Sequence, residues 1–271
     1  MALSIPGRPD EATAIRVVHA ALDHGVTLID TADVYCLDET DIGHNERLVA
    51  NALRTWSGGR DGVVLATKGG MSRPGGRWER TGRPEHLRRA CDRSLRALGT
   101  DRIDLYQLHT PDPEVPFADS VGALADLARA GKIRWVGLSN VTVTDIGAAV
   151  QIVPVVTVQN RLNPFFREAR DTGVLALCER REIGFLAYSP VGGGRLNKQL
   201  PVHPALASIA RRRGISPHAV VIAWVLAQSS IVIPIPGART AAHALDSLTA
   251  TDATLSPEEL AAIDGAEFSR A

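Results

Sequence analysis

From Val26 to Ile235 short apolar runs alternate with stretches of helical spacing, and this alternation constrains the fold more than any other feature. Strands are predicted at Val26–Ile29, Val63–Thr67, Ile103–Leu108, Ile133–Leu138, Val155–Val158, Phe185–Ala187 and Ile231–Ile235, each bounded by turn signals. Residues 1–9 read as a loop broken by Pro6, Gly7 and Pro9. Helices are predicted from Asp10 as cap through Asp23, from Asn45 to Trp56, from Pro84 to Leu98 and over Phe117–Ala130 and Thr142–Val150. Further helices are predicted over Asp171–Arg181, Pro204–Arg213, Pro217–Gln228 and Ala241–Leu248, and one opens on the capping box Ser256–Glu259. The Gly- and Arg-rich stretch Met71–Arg83 reads as a loop.

Parallel neighbours need crossover connections, so strict alternation argues for a parallel sheet. The strand runs are continuously apolar, as expected when both faces are covered. A doubly wound open sheet and a closed (β/α)8 barrel both satisfy this pattern. Polar residues follow nearly every strand, which favours the barrel, because its loops feed one mouth whereas an open sheet concentrates its site at a switch point. The expected fold class is therefore an α/β barrel in a single domain over residues 1–271, with seven strands predicted where eight are needed.

Lys plus Arg and Asp plus Glu both number 30, so no net charge draws the chain to nucleic acid or an anionic membrane. The basic run Arg211–Arg213 reads as a solvated helix end. Three scattered cysteines without a CxxC pair fit a reducing compartment. No histidine cluster has metal-ligand spacing. No apolar run is long enough to span a bilayer, and no basic region followed by an apolar core opens the chain. A soluble, cytoplasmic protein is expected.

The strand ends carry the chemistry. Asp30 closes the first strand and Tyr35 follows it; Lys68 closes the second and His109 the third. Each could be a bland rim residue: Lys68 could snorkel, His109 could be a satisfied rim histidine, and Asn140 could cap the next helix. Ionisable side chains on three successive strand ends are harder to explain that way. Later strands end at Ser139-Asn140, Gln159-Asn160 and Tyr188-Ser189, and the last leads to Gly237 and Arg239.

These stretches resemble the aldo-keto reductase superfamily. The matching segments are Leu-Ile-Asp-Thr-Ala-Asp-Val-Tyr at 28–35, Gly-His-Asn-Glu at 43–46, Ala-Thr-Lys at 66–68 and Asp-Leu-Tyr-Gln-Leu-His-Thr-Pro-Asp at 104–112. They continue with Gly-Leu-Ser-Asn at 137–140, Ala-Tyr-Ser-Pro at 187–190 and Ile-Pro-Gly-Ala-Arg at 235–239. The resemblance implies a (β/α)8 barrel that reduces a carbonyl substrate with NADPH through a tetrad of Asp30, Tyr35, Lys68 and His109. Tyr35 would be the proton donor, its pKa lowered by Lys68; Asp30 would hold Lys68, and His109 would orient the carbonyl.

By the same resemblance Ser139, Asn140 and Gln159 would hold the nicotinamide carboxamide, and Tyr188 would stack on its ring. The loop Ser189–Arg195, including Val191 and Gly193, would approach the pyrophosphate, and Gly237 and Arg239 would hold the adenosine 2′-phosphate. The chain departs from the family at Asp246-Ser247, where Glu-Asn usually contacts the adenine. It also departs at its start, where the family's first barrel strand is expected to be missing or replaced. The pocket walls are expected from Tyr35–Gly43 and Met71–Arg83, with Trp78 as a contact. A redox-sensing, nucleotide-binding subunit with slow turnover is the alternative function, and a Schiff-base aldolase using Lys68 a third. Cys36, beside Tyr35, is either an oxidant-sensitive thiol or an inert rim cysteine.

Overall fold

Asp10 caps the first helix as expected, its carboxylate accepting the Thr13 amide at 2.8 Å. Residues 3–270 are described here from a computed structural model. The chain falls into two units by its internal contacts. The first runs up to Val158 and includes Ala238–Ala241; the second comprises Gln159–Gly237 and the residues from Ala242 onward.

The first unit contains α1 (Glu11–Asp23), β1 (Leu28–Asp30), α2 (His44–Thr55), β2 (Val64–Gly69), β3 (Met71–Ser72), β4 (Glu79–Arg80) and α3 (Pro84–Leu98). It continues through β5 (Ile103–Leu108), α4 (Phe117–Arg129), β6 (Ile133–Ser139) and α5 (Val143–Ala149) to β7 (Val155–Arg161), within which the boundary falls. The second unit holds α6 (Glu168–Asp171), α7 (Val174–Arg180), β8 (Gly184–Tyr188), α8 (Gly193–Leu196), α9 (Pro204–Arg213), α10 (Pro217–Leu226) and β9 (Val232–Ile235). The helices α11 (Ala241–Leu248) and α12 (Pro257–Asp264) end the order.

Among the described residues, seven strands form the main sheet in the order β1-β2-β5-β6-β7-β8-β9, which is their order along the chain. The ladders β1–β2, β2–β5, β5–β6 and β8–β9 are parallel. No strand precedes β1 among these residues; positions 3–7 form bends and a turn. The sheet therefore has one strand fewer than an eight-stranded barrel.

Register places the chemistry. Asp30 lies beside Ala66, and Lys68 lies beside Gln107. Residues 66 and 68 share a face because side chains alternate along a strand. Asp30, Lys68 and Gln107 therefore project to the same side of the sheet. On the outer side, α3 buries Leu87, Ala90, Cys91 and Leu98. Pro84 occupies its first turn, and Gly99 ends it with φ 63°, a conformation that disfavours a β-carbon.

Two expectations need correction. The stretch 71–83 is not plain loop: β3 and β4 pair antiparallel, Met71 with Arg80 and Ser72 with Glu79. The helix expected over Asp171–Arg181 is two short ones, α6 and α7, separated at Gly173, whose φ is 81°. The run Arg211–Arg213 is exposed at the end of α9, as expected, and two of its guanidiniums are also paired. Glu259 takes a bidentate pair from Arg213, the shorter contact 2.6 Å, and a second guanidinium from Arg212 at 3.4 Å. Pairing with Arg213 holds the Glu259 carboxyl down at about 2.

Candidate active site

Lys68 is fully buried at the C-terminal end of β2, and its ammonium has three acceptors. Nζ donates to Asp30 Oδ2 at 2.5 Å, to the Thr31 carbonyl at 2.8 Å and to the Tyr35 hydroxyl oxygen at 3.2 Å. Burial alone would push the ammonium's pKa down; the Asp30 carboxylate and then Tyr35 outweigh it, and the net displacement is upward. The second oxygen of Asp30 accepts the Gln107 amide at 3.1 Å. Asp30 and Lys68 thus form a buried ion pair with further hydrogen bonds at both ends, the condition under which such a pair is tolerated.

His109 follows β5, and its ring stands edge-on to Tyr35 with centroids 5.8 Å apart. Burial, and secondarily the Lys68 charge, push its imidazole down to about 3, so the ring is neutral across the physiological range. Nδ1 is enclosed and without a hydrogen-bond partner among the described residues. The Trp78 indole is edge-on to both neighbours, 6.3 Å from Tyr35 and 6.2 Å from His109. All four residues of the expected tetrad are therefore brought together in the first unit, with Trp78 against them.

Several participants are absent from the sequence reading. Gln107 is one: an amide inside an apolar strand run, two residues before His109 and so on the same strand face, was the available signal. The Thr31 carbonyl is another, and it left no signal because any residue type supplies a carbonyl.

A separate buried group contains Asp33, fully buried and with neither carboxylate oxygen hydrogen-bonded among the described residues. Burial, then the neighbouring Glu46, push its carboxyl well above the usual range, and the Arg93 guanidinium at 3.7 Å only partly opposes them. Glu46 accepts the Thr67 hydroxyl at 2.6 Å, and burial raises it too. Although it shares a motif with Asp30, Asp33 makes no hydrogen bond to Lys68's side chain; its amide bonds the Lys68 carbonyl at 3.4 Å.

Cys36 is enclosed, its thiol donating to the Val34 and Asp38 carbonyls, and burial pushes it up to about 11. A thiol in that state is a poor nucleophile, which favours the inert reading.

The residues expected at a cofactor divide between the units. In the first, Ser139 is buried at the end of β6, and Asn140 adopts φ 58°. The Asn140 amide donates to the His109 carbonyl at 3.0 Å and to Ser139 Oγ at 3.2 Å, and Thr142, rather than Asn140, caps α5. Arg239 is exposed and donates to the Pro6 carbonyl at 2.9 Å.

In the second unit, Gln159 is buried on β7 and Tyr188 ends β8 with its ring half-buried. The Arg161 guanidinium, which the sequence reading missed, lies 5.4 Å over the Tyr188 ring. Ser189 has φ 49°, and its carbonyl accepts Asn163 Nδ2 at 2.8 Å. Val191 and Gly193 are half-buried; a β-carbon on Gly193 would meet only Ser189 Oγ at 3.9 Å, and one on Gly194 would meet open space. Arg195 donates to the Arg270 carbonyl at 2.7 Å. Gly237 is exposed after β9. Asp246 accepts the hydroxyl of Ser216, the cap of α10, at 2.7 Å, and Ser247 donates to the His243 carbonyl at 2.9 Å.

Comparison with known proteins finds relatives of the chain along nearly its whole length. Residues 1–267 match the aldo/keto reductase family, a match that runs unbroken across both units. An uncharacterized oxidoreductase of Schizosaccharomyces pombe is 36% identical over 256 residues, covering 94% of this chain and 79% of that protein. The structure of a glycerol dehydrogenase from Gluconobacter oxydans is 30% identical with a TM-score of 0.82, over 95% of this chain and 86% of that one. An aldo-keto reductase from Klebsiella pneumoniae in complex with NADPH is 31% identical with a TM-score of 0.79, over 94% and 84%. The fold is the α/β barrel class of these proteins, with seven strands among the described residues. The chain belongs to the aldo/keto reductase family, a family of oxidoreductases.

Proposed function

We propose that this protein reduces an aldehyde or ketone to the alcohol using NADPH, with Tyr35 as the proton donor. The observation that carries the proposal is the Lys68 ammonium, 3.2 Å from the Tyr35 hydroxyl and anchored by Asp30 at 2.5 Å. Reduction leaves an alkoxide that must be protonated, and a phenol with an ordinary pKa near 10 is a reluctant acid at neutral pH. An adjacent ammonium stabilises the phenolate and so makes the phenol a better donor. Asp30, itself held by Gln107, keeps that charge in place. His109, neutral at working pH and with Nδ1 enclosed, has Nε2 left to donate to the substrate carbonyl oxygen, orienting it and stabilising developing negative charge. Lys68 as a Schiff-base nucleophile is disfavoured because its pKa is raised and all its donors are engaged.

The bound NADPH would supply the hydride. Ser139, Asn140 and Gln159 would hold its carboxamide and Tyr188 its ring, with Arg161 yielding the ring face it now covers. The space open at Gly193 and Gly194 suits close approach of backbone to a pyrophosphate. Val191, Ser189 and Arg195 would line that approach, and Gly237 and Arg239 would meet the 2′-phosphate. Asp246 and Ser247 are engaged within their own unit, so adenine contacts there would have to exchange existing hydrogen bonds. A cytoplasmic setting fits three buried cysteines, none in a disulfide.

The test is oxidation of NADPH and of NADH, in parallel, over a panel of aldehydes and ketones. Carbonyl-dependent oxidation favouring NADPH is expected. Tight NADPH binding without turnover would replace this reading with the redox-sensing one, and no nicotinamide binding would overturn both.

A further inference from the structure

Arg73 is a buried charge that this chemistry does not use. It lies between β3 and the turn that follows and is 2% exposed. One nitrogen, Nη2, donates to the Leu37 carbonyl at 2.9 Å, and the guanidinium stacks 4.0 Å over the Trp78 indole. Nε and Nη1 are enclosed and have no hydrogen-bond partner among the described residues. The carboxylates of the facing loop are engaged elsewhere: Asp38 with Thr40, Asp41 with Arg8 at 2.6 Å, and Glu39 with the Gly75 amide at 2.6 Å. A buried guanidinium without a carboxylate is an expensive arrangement unless a ligand completes it. The indole it covers is the one that stands edge-on to Tyr35 and His109, so a single ring separates this cation from the proton donor.

We infer that Arg73 anchors a carboxylate on the substrate, whose carbonyl lies against Tyr35 and His109. The inference rests on the carbonyl-reductase reading above and names its substrate class: an aldehyde or ketone carrying a carboxylate across a spacer about one aromatic ring wide. A planar guanidinium presents paired N–H groups that match a carboxylate, which a lysine in the same place cannot do. Trp78, 48% exposed, moves off the guanidinium and packs on the spacer. The segment that carries it can shift at small packing cost: β3 and β4 share only two residue pairs, and Gly75 and Gly76 hold the turn at positive φ.

The experiment compares 4-carboxybenzaldehyde with its methyl ester, using NADPH and wild type, Arg73→Met and Arg73→Lys. Wild type is expected to favour the carboxylate at least tenfold in kcat/KM, mostly through KM. Arg73→Met loses that preference, and Arg73→Lys keeps part of it. A site built to hydrogen-bond one group discriminates strongly against an analogue lacking it. Wild type with no preference overturns the inference, as does an equal loss on both substrates in Arg73→Met. Calorimetric titration with benzoate reads the anchor without turnover: binding by wild type that disappears in Arg73→Met supports it, and no binding by wild type overturns it. Reduction of the ester without any carboxylate preference removes the anchor and leaves the reductase standing. Arg73-dependent benzoate binding without reduction of any carbonyl does the reverse.

Discussion

Lys68, at the end of β2, and Arg73, on the hairpin that follows, are both buried cations, and their surroundings differ. Lys68 has an acceptor for each of its three protons, one of them the Asp30 carboxylate at 2.5 Å. Arg73 has one backbone carbonyl, an indole face and two nitrogens with no partner among the described residues. A cation satisfied from every side holds a fixed charge, and nothing has to move for it to act on a neighbouring hydroxyl. A cation left partly unsatisfied beside the same site is poised to take a ligand. The strand-end corner is thus preorganised, and the hairpin holds its binding capacity in reserve.

The largest effects are expected at the strand-end corner. Tyr35→Phe should lower turnover by about 10²–10⁴-fold, the range of a lost general acid, while a fluorescence titration still shows NADPH binding. Retained turnover would remove Tyr35 as the proton donor. Lys68→Met should lose activity on a similar scale and also stability, about 3–5 kcal/mol by denaturant unfolding, because Asp30 is left buried without its counter-ion.

His109 provides a pH test. Its folded pKa is depressed to about 3, against an ordinary value of 6.5. Between those values the unfolded chain binds the proton and the folded chain does not, so stability must fall as pH drops through that window. At pH 5 the contribution is about 2 kcal/mol, from roughly 1.4 kcal/mol per unit. His109→Gln, which does not titrate, should flatten the acid limb of the Tm-against-pH curve by that amount; an unchanged limb would show that the ring is not buried neutral. A smaller effect, about 1–2 kcal/mol, is expected for Gln107→Ala, which takes a hydrogen bond from a buried carboxylate.

The smallest effect sharpens the contrast. Arg73→Met removes a buried charge that has no carboxylate partner among the described residues, so relief of its desolvation offsets the lost Leu37 hydrogen bond and stability should fall by no more than about 1 kcal/mol. A loss as large as that of Lys68→Met would mean that Arg73 is structurally paired after all.

Much of this site was legible in the sequence where the deciding interactions are local. The helix Pro84–Leu98 and the strand Ile103–Leu108 have the bounds that their apolar spacing and turn residues predict. Asp10, Ser216 and Ser256 cap the helices they precede. Asp30, Lys68 and His109 could be recognised because a strand end needs few residues to identify it. The hairpin β3–β4 could not, since two residue pairs leave no alternating pattern to read. Gly173 interrupts a helical pattern that otherwise runs on, and a lone glycine does not by itself say whether a helix ends.

The alternation of elements, the seven strands of the main sheet and the ionisable groups at strand ends were legible from local order, because each depends on neighbours a few positions apart. Long-range packing settled the rest: Gln107 reaches Asp30 over the intervening strand β2, Asp33 is buried without a hydrogen bond to the Lys68 side chain although three residues from Asp30, and Arg73 is enclosed with no carboxylate partner among the described residues. The reason is that burial and pairing of long polar side chains depend on groups distant in the chain. No local pattern says which of two nearby cations finds its partners.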